Sequence, residues 1–369
     1  MKNKKKTIGV ILGIGMILVS VLGCTAPKDT GVSSSAESSE KIELALITDL
    51  GHIDDRSFNQ AAWQGVQQYA KENGVTYAYY EPEEGTTDSY VESIDQAIAK
   101  GAKLVVCPGY LFATAVFIAQ DRYPDVAFIL VDGEPHDAAN TVSKTGENVL
   151  SILYQEEQAG FLAGYAAVKD GHRKLGFMGG LAVPAVIRYG YEFVQGADLA
   201  AQELGVDTEI KYNYTGTFIG TPEIQAQAAA WYAEGTEVIF TCGGAIVESV
   251  IDAAEEHDNA KVIGVDVDQS DLSKTVITSA MKMVTSSVYS GIQDYYSNAF
   301  AGGTTQTFSA ANNGIGLPMD TSTFRSFSQQ DYQVIYAKLV SGEIGVANQT
   351  EDSTTADLPL LATTVTYIK

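Results

Sequence analysis

The sequence predicts an α/β protein with two doubly wound parallel-sheet lobes joined by a hinge. Short β-branched and apolar runs alternate with helical segments, a pattern typical of parallel sheets covered by helices. This alternation occurs twice along the chain. Glycine is frequent, with 35 of 369 residues, which suits tight turns between strands and helices. Hydrophobic residues make up 45%, so the chain can bury one large core or two ordinary ones.

The first series of elements lies between residues 42 and 132. Ser57 and Gln60 have the spacing of a capping box, which predicts a helix that begins there and ends near Asn73. Asp88 is placed to cap the next helix. The runs between the helices are rich in β-branched and apolar residues, so they are predicted to be buried strands. These strands are residues 42–48, 75–80, 104–107 and 126–131.

The same order of elements starts again after residue 155. Residues 101–109 read GAKLVVCPG and residues 235–243 read GTEVIFTCG. The two segments occupy corresponding points of the two series, which supports two similar lobes. Predicted strands are residues 174–178, 208–212, 238–241, 262–265 and 276–280. Predicted helices are residues 156–168, about 189–203, 222–234 and about 246–257.

The chain after residue 283 contains too few elements for a third domain. We therefore expect it to return to both lobes, which makes each lobe discontinuous in sequence. Lobe 1 is predicted to comprise residues 41–154 with about 283–316. Lobe 2 is predicted to comprise residues 155–282 with about 317–369. Two such lobes facing one another enclose a cleft.

The first 40 residues carry the signals of export. Lysines at positions 2, 4, 5 and 6 precede an apolar run, residues 8–22, which is short for a membrane-spanning helix of about 20 residues. The run ends in Val-Leu-Gly before Cys24, which resembles a bacterial lipobox. Residues 1–23 are thus predicted to be a lipoprotein signal peptide and Cys24 the lipidated, palmitate-bearing residue; the alternative is an uncleaved anchor. Residues 24–40 are Ser- and Ala-rich, which predicts a flexible tether on the extracytoplasmic face of the cell membrane.

Composition excludes several classes of function. The chain has 23 Lys and Arg against 46 Asp and Glu, a formal charge of −23, which argues against nucleic-acid binding. The three cysteines are too few for a disulfide framework and too dispersed for a zinc site. We expect Cys107 and Cys242 to be buried thiols in separate lobes. The chain has no Gly-x-Ser-x-Gly elbow, His-Glu-x-x-His or phosphate loop, so we predict a binding protein without catalytic residues, metal or cofactor.

Ligands of doubly wound sheets bind beyond the carboxyl ends of the strands. Phe58, in the first turn of a predicted helix, is a candidate to stack on a ligand; the alternative is a hydrophobic lid over its own loop. Asp266 can accept hydrogen bonds from two adjacent sugar hydroxyls; the alternative is a turn residue. The residues that follow predicted strands are Asp49, Gly109, Asp132, Gly180, Gly243 and Asp266. Of these, Asp49, Asp132, Gly243 and Asp266 are predicted to bind ligand.

Two further candidates lie in the second series. Phe218, in the loop 214–218, can supply a second aromatic wall from the other lobe. Lys282 is expected just after the strand 276–280, where it can donate to ligand hydroxyls. The alternative for Lys282 is an exposed lysine at a strand end.

The chain resembles the basic membrane protein family of substrate-binding lipoproteins, which includes the purine nucleoside receptors of ABC importers. The resemblance spans about residues 41–300. It is carried by TDLGHIDDRSFNQ (48–60), EEQAGFLAGYAA (156–167), the GG…P…R…G pattern of residues 179–196, and IGVDVDQS (263–270).

The resemblance implies a two-lobed fold like that of the type I periplasmic binding proteins, which closes on a nucleoside. It implies a base held between Phe58 and Phe218, with Asp49 and Asn59 in polar contact with the base. It further implies that the ribose hydroxyls bind to the residues already singled out at the ends of the second-lobe strands, Asp266 and Lys282.

The resemblance also implies a partner, an ABC permease in the membrane to which the protein, expected to be a monomer, delivers its nucleoside. Two other binding functions stay open: a receptor for riboflavin or a sugar, and a ligand sensor. An extracellular nucleoside hydrolase is the enzymatic alternative.

Overall fold

The computed structural model describes residues 41–349 and 352–368. The predicted signal peptide, Cys24 and the tether lie outside the described residues. The strands of the described part are, in chain order, β1 (Leu44–Ile47), β2 (Tyr77–Tyr80), β3 (Leu104–Pro108), β4 (Ala127–Val131), β5 (Val149–Tyr154), β6 (Lys174–Gly179), β7 (Thr208–Tyr214), β8 (Val238–Cys242), β9 (Lys261–Asp266), β10 (Val276–Lys282), β11 (Thr304–Phe308), β12 (Ile315–Gly316) and β13 (Thr363–Tyr367).

All six predicted helices are present, together with three that were not predicted from the sequence. The α-helices of the described part are α1 (Phe58–Asn73), α2 (Thr87–Ala99), α3 (Ala113–Arg122), α4 (Glu156–Lys169), α5 (Pro184–Leu204), α6 (Pro222–Ala233), α7 (Ile246–Glu255), α8 (Val284–Tyr296) and α9 (Gln329–Ser341). None of these helices is long and apolar enough to cross a lipid bilayer.

The strands form two sheets with the same internal order. The first sheet runs β2-β1-β3-β4-β5-β11, and every pairing in it is parallel. The second runs β13-β7-β6-β8-β9-β10-β12, and only β12 is antiparallel to its neighbour. The order β2-β1-β3-β4-β5 thus recurs as β7-β6-β8-β9-β10, which is the predicted pair of doubly wound sheets. We call the first sheet with α1, α2, α3 and α8 lobe 1, and the second sheet with the other helices lobe 2.

The chain crosses between the lobes three times, after β5, β10 and β11. The predicted division at about residue 316 is wrong in detail, because Ile315 and Gly316 already pair with Lys282 and Met281 in the second sheet. The return to lobe 2 therefore takes place in the short segment between β11 and β12. This segment and the other two crossings lie side by side, since the Gln155 N–H donates to Phe308 O and the Met283 N–H donates to Gly314 O.

The central strands are buried on both faces. All residues of β1, β3 and β4 are buried, as continuous apolar runs in parallel sheets require. In lobe 2, helices α4 and α5 approach with almost no space between their backbones. A Cβ atom on Gly160, Gly164 or Gly196 would collide with a backbone oxygen of the facing helix. The glycines of these two segments are therefore needed for the close packing of α4 on α5.

Two predicted helix caps are wrong. Ser57 makes no side-chain capping bond, and the reason is that a neighbouring carboxylate takes its place, as described below. The cap of α2 is Thr86, whose hydroxyl accepts from the Ser89 N–H, and Asp88 lies in the first turn instead. Helix α5 begins at Pro184, several residues before the predicted start near residue 189, because proline is favoured at the first helical position.

Candidate functional site

A cavity of about 60 Å³ lies between the carboxyl ends of the two sheets. Hydrogen bonds and an ion pair join the two lobes beside it, so the lobes are closed on one another in this structure. The cavity is lined by all eight residues predicted to bind ligand, whose binding roles stay predictions. These are Asp49, Phe58, Asn59, Asp132, Phe218, Gly243, Asp266 and Lys282.

The start of α1 is organised by Asp55. Its carboxylate accepts hydrogen bonds from the backbone N–H groups of Ser57 at 2.9 Å, Asn59 at 3.0 Å and Gln60 at 3.1 Å. These are the donors that a helix leaves free at its first turn. Burial raises the pKa of Asp55 to about 6, although these N–H groups act in the opposite direction. The predicted capping box fails because Asp55 already occupies its donors.

Ser57, released from capping, joins the two lobes. Its hydroxyl donates to Asp266 Oδ2 over 2.5 Å. A second bond across the cleft runs from Gln269 Nε2 to the backbone oxygen of Arg56, at 2.9 Å. These contacts hold the lobes in the closed arrangement around the cavity.

Asn59 and Asp49 bind one another on the lobe 1 side. Asn59 Nδ2 donates to Asp49 Oδ1 at 2.7 Å and to Asp55 Oδ2 at 3.1 Å. Asn59 Oδ1 accepts from the Asp49 N–H, and Asp49 Oδ1 accepts from the Gly51 N–H. Burial raises the pKa of Asp49. The two side chains therefore form a rigid polar corner at the carboxyl end of β1.

Lys282 is the central charge of the cavity wall. It is the last residue of β10 and is 3% exposed, so the alternative of an exposed strand-end lysine is wrong. Its Nζ binds Asp132 of lobe 1 and lies 3.6 Å from Asp266 Oδ1 of lobe 2. Glu156 Oε1, at the first crossing between the lobes, is 3.5 Å away. Nζ also lies 4.5 Å from the centre of the Phe58 ring, within range of a cation–π contact.

Neighbouring charges and burial act in opposite directions on the pKa of Lys282. Burial alone would lower the pKa of Lys282, but the carboxylates of Asp132, Asp266 and Glu156 raise it above its ordinary value. The pKa of Asp132 rises to about 7, because loss of water outweighs the attraction of the ammonium. The ammonium is thus firmly protonated, whereas its lobe 1 partner titrates near neutral pH.

The two strand-end aspartates have the same unusual backbone. Asp132 follows β4 with φ +62°, and Asp266 ends the corresponding strand β9 with φ +66°. Aspartate is one of the few residue types that tolerate the left-handed region. Such strain is often retained at functional sites. Here the two strained residues are the ones whose carboxylates both lie beside the Lys282 ammonium.

Glycine is required where Phe218 packs. A Cβ atom on Gly243, which has φ +153°, would lie 3.0 Å from the Phe218 ring and 2.9 Å from the Gly180 nitrogen. A Cβ on Gly180 would also collide with that ring. The glycines after β6 and β8 thus let Phe218 reach the cavity from the lobe 2 side, and Phe58 of α1 lines the same cavity from lobe 1.

Part of the cavity wall was not predicted from the sequence. Tyr110 and Tyr189 bring two more rings, and apolar residues of the loop and first turn at α5 complete the lining: Val183, Ala185 and Val186. Both free cysteines of the described part, Cys107 and Cys242, are buried as expected. No cluster of His, Cys, Asp and Glu in the described residues is arranged to hold a metal ion.

Behind the wall lies a second group of charged residues, which was not predicted from the sequence either. Arg188 Nε donates to Glu156 Oε2 at 2.7 Å and lies 3.7 Å from Glu157 Oε2. The signal was present: three charged residues stand in helices otherwise rich in Ala, Gly and apolar residues, and charges are rarely buried unless paired.

Comparison with known proteins agrees with this architecture. Residues 42–350 match the family model described as ABC transporter substrate-binding protein PnrA-like, the Bmp family. The ABC transporter nucleoside-binding protein BmpA of Lactococcus lactis is 30% identical over 342 residues, covering 86% of this chain and 93% of that protein. An uncharacterized lipoprotein of Pyrococcus abyssi is 27% identical over 324 residues, covering 84% of this chain and 77% of that protein.

A solved structure supports the fold. An ABC transporter solute-binding protein from Aeropyrum pernix K1 superimposes with a TM-score of 0.74 at 22% identity, covering 86% of this chain and 96% of that one. The chain belongs to the PnrA-like family of ABC transporter substrate-binding proteins. Membership implies a small-molecule ligand and a membrane permease as partner.

Proposed function

We propose that this PnrA-like protein captures a nucleoside, with purine nucleosides preferred, by closing its lobes and delivers it to an ABC permease. The observation that carries the proposal is one cavity with aromatic rings from both lobes, Phe58 and Phe218, beside the ammonium of Lys282 and several carboxylates. The nucleoside-binding name of the Lactococcus lactis relative supports the same ligand class.

The aromatic rings are assigned to the base. A flat base between Phe58 and Phe218 gains about 0.5–1.5 kcal/mol from each ring beyond area burial. Asp49 and Asn59 are assigned the polar edge of the base, because their mutual hydrogen bonds hold them rigidly beside Phe58. A preorganised polar corner loses little entropy when the ligand binds.

The charged residues are assigned to the ribose. Asp266 and Lys282 offer an acceptor and a donor to its two hydroxyls, each such bond contributing about 1.5–3 kcal/mol. Asp132 adjoins the same ammonium, and Gly243 lines the cavity beside Phe218. In the closed structure Ser57 binds Asp266 and Asp132 binds Lys282, so the ligand must exchange these bonds for its own.

The charge of the cavity favours a neutral ligand. Its wall presents one ammonium, Lys282, and four carboxylates: Asp49, Asp55, Asp132 and Asp266. A phosphorylated ligand would bring further negative charge to this site, and like charges in contact cost several kcal/mol. The proposal is therefore a nucleoside rather than a nucleotide.

The proposed location is the extracytoplasmic face of the membrane, with a lipid on Cys24 after removal of residues 1–23. The lipobox-like sequence supports it, and the Pyrococcus abyssi relative is named a lipoprotein. Cys24→Ala should move the protein from the membrane fraction to the medium or periplasm. Continued membrane association of a mature-length C24A protein contradicts the anchor.

The test of the proposed ligand is calorimetry of residues 25–369 against purine and pyrimidine nucleosides, free bases, riboflavin and sugars. We expect micromolar or tighter binding of a purine nucleoside, about −8 kcal/mol or more favourable, by a monomer in light scattering. Binding of riboflavin or a sugar alone overturns the proposed ligand. Release of hypoxanthine from inosine overturns the assignment of a binding protein.

A further inference from the structure

The buried pair Glu156–Arg188 lies directly behind Lys282. Glu156 is the first residue of α4 and is fully buried, and Arg188 is 7% exposed in the first turns of α5. Glu156 uses its two oxygens differently: Oε2 accepts from Arg188 Nε at 2.7 Å, and Oε1 faces Lys282 Nζ at 3.5 Å. Glu156 thus links the ammonium of the cavity wall to a second cation that has no place in the wall.

The partners of Lys282 differ in the lobe to which they belong. Glu156 and Arg188 stand on α4 and α5, which are locked together by their glycines, and α4 also packs on β10. Asp132 follows β4 of the other lobe. When the lobes separate, Lys282 loses Asp132 but keeps Glu156.

Asp266, the third carboxylate near Lys282, has other partners. It lines the cavity and its Oδ2 accepts the Ser57 hydroxyl across the cleft, so its bonds change with opening and with ligand. Glu156 does not line the cavity. Its negative charge stands at the N-terminus of a helix, where the helix dipole is favourable.

We propose that Glu156, held by Arg188, is a positioning residue that keeps the Lys282 ammonium charged and directed at the cleft in the open, ligand-free protein. The nucleoside part of the test below rests on the proposed function. A buried ammonium without a fixed counter-charge tends to lose its proton. Glu156 provides that counter-charge before the ligand and Asp132 arrive.

The neighbouring Glu157 provides a matched control. It is also buried, on the same helix turn, and lies 3.7 Å from Arg188 Nε, yet it makes no ion pair with Lys282 in the described structure. Glu156→Gln and Glu157→Gln each replace a buried carboxyl group by an amide and keep the side-chain shape. Only Glu156→Gln removes a carboxylate that lies beside Lys282 Nζ.

The first readout uses the ligand-free protein and needs no nucleoside. Lysine acylation by a water-soluble N-hydroxysuccinimide ester, followed over pH 7–11 by peptide mass spectrometry, reports the deprotonation midpoint of Lys282. The groups facing Lys282 are Asp132, Asp266, Glu156, Tyr154 and Tyr189. We expect the midpoint to fall by at least one pH unit in Glu156→Gln and to stay unchanged in Glu157→Gln.

The second readout is inosine affinity between pH 7 and 9.5. Glu156→Gln should weaken it at least tenfold and make it fall further as pH rises, whereas Glu157→Gln stays within threefold of the unmodified protein. Glu156→Asp keeps the charge and should restore most of the pH profile, which a purely structural defect would not allow. If Glu156→Gln does not fold, Glu156→Asp can be compared with the unmodified protein in its place.

Equal Lys282 midpoints in the unmodified, Glu156→Gln and Glu157→Gln proteins overturn the positioning role. A midpoint that falls equally in both glutamine variants overturns it as well, since the effect then does not depend on the carboxylate beside Lys282. If the midpoint shifts as expected but inosine does not bind any of the proteins, the proposed ligand fails and the role of Glu156 stands.

Discussion

The two lobes repeat one strand order but offer different chemistry to the cleft. At the ends of corresponding strands β4 and β9 both lobes place an aspartate with a left-handed backbone, Asp132 and Asp266. At the ends of β1 and β6 they differ. Lobe 1 has Asp49, hydrogen-bonded to Asn59, whereas lobe 2 has Gly180, against which Phe218 packs.

The comparison separates shared architecture from specific recognition. The paired aspartates meet at one ammonium, which belongs to lobe 2, so closure completes a charge cluster that neither lobe has alone. At the ends of β1 and β6, lobe 1 thus offers hydrogen-bonding groups and lobe 2 a closely packed aromatic ring. Substitutions at matched positions test this division.

The largest effect on ligand affinity is expected at the paired aspartates. Asp266→Asn should lower inosine affinity about a hundredfold, about 2.7 kcal/mol, because an amide cannot accept from two hydroxyls with full charge. Asp132→Asn should lower inosine affinity only about tenfold, since Lys282 still has the carboxylates of Glu156 and Asp266 beside it. Asparagine suits the left-handed backbone of both sites. Calorimetry with inosine measures both affinities, and equal losses of affinity in the two variants would contradict the proposed asymmetry between the lobes.

The next largest loss of ligand affinity is expected at the aromatic residues of the cavity. Phe58→Ala should weaken inosine binding at least tenfold, about 1.4 kcal/mol, through loss of one stacking face. Phe58→Leu keeps most of the apolar volume and is the control for stacking as opposed to burial. Phe218→Ala is the matched change in lobe 2. Unchanged affinity in Phe58→Ala removes Phe58 from the proposed site.

Buried acids in lobe 2 should make stability depend on pH. Burial raises the pKa of Glu192 from 4.5 to about 8, so the folded protein holds a proton that the unfolded chain releases. The free energy of unfolding should therefore fall as pH rises from 5 to 8, by at most about 1.4 kcal/mol per pH unit from this group.

Glu192→Gln removes that contribution and should flatten the decline. The glutamine oxygen can still accept from the Ala347 N–H, which donates to Glu192 at 2.8 Å. Urea unfolding at pH 5, 6.5 and 8 measures the difference. An identical pH slope in the variant would show that Glu192 is ionised in the folded protein.

The smallest effect concerns the cap of α1 in lobe 1. Asp55→Ala should lower the free energy of unfolding by about 0.5–2 kcal/mol, because three backbone N–H groups lose their acceptor. Ser57→Ala should change it by less, since Ser57 does not cap the helix. Urea denaturation of both variants compares them. A larger loss for Ser57→Ala would restore the predicted capping box.

Edge elements escaped prediction for a physical reason. Strands β11 and β13 read TTQTF and TTVTY, and each pairs with a single neighbour at the edge of its sheet. Half-exposed, threonine-rich segments lack the continuous apolar pattern that identifies buried strands. Strand β12 has only two residues and runs antiparallel, so nothing in its local sequence indicates its partner.

The sequence by itself determined the two doubly wound series and the strand ends where the candidate ligand-binding residues stand, because both follow from local hydrophobic pattern and the alternation of elements. Only the tertiary structure decided which of those residues touch. Lys282 meets Asp132 across 150 positions and Ser57 meets Asp266 across 209. Such partners depend on how the two lobes close. The free energy of closure comes from burial and charge pairing between segments whose local sequences do not indicate that they will meet.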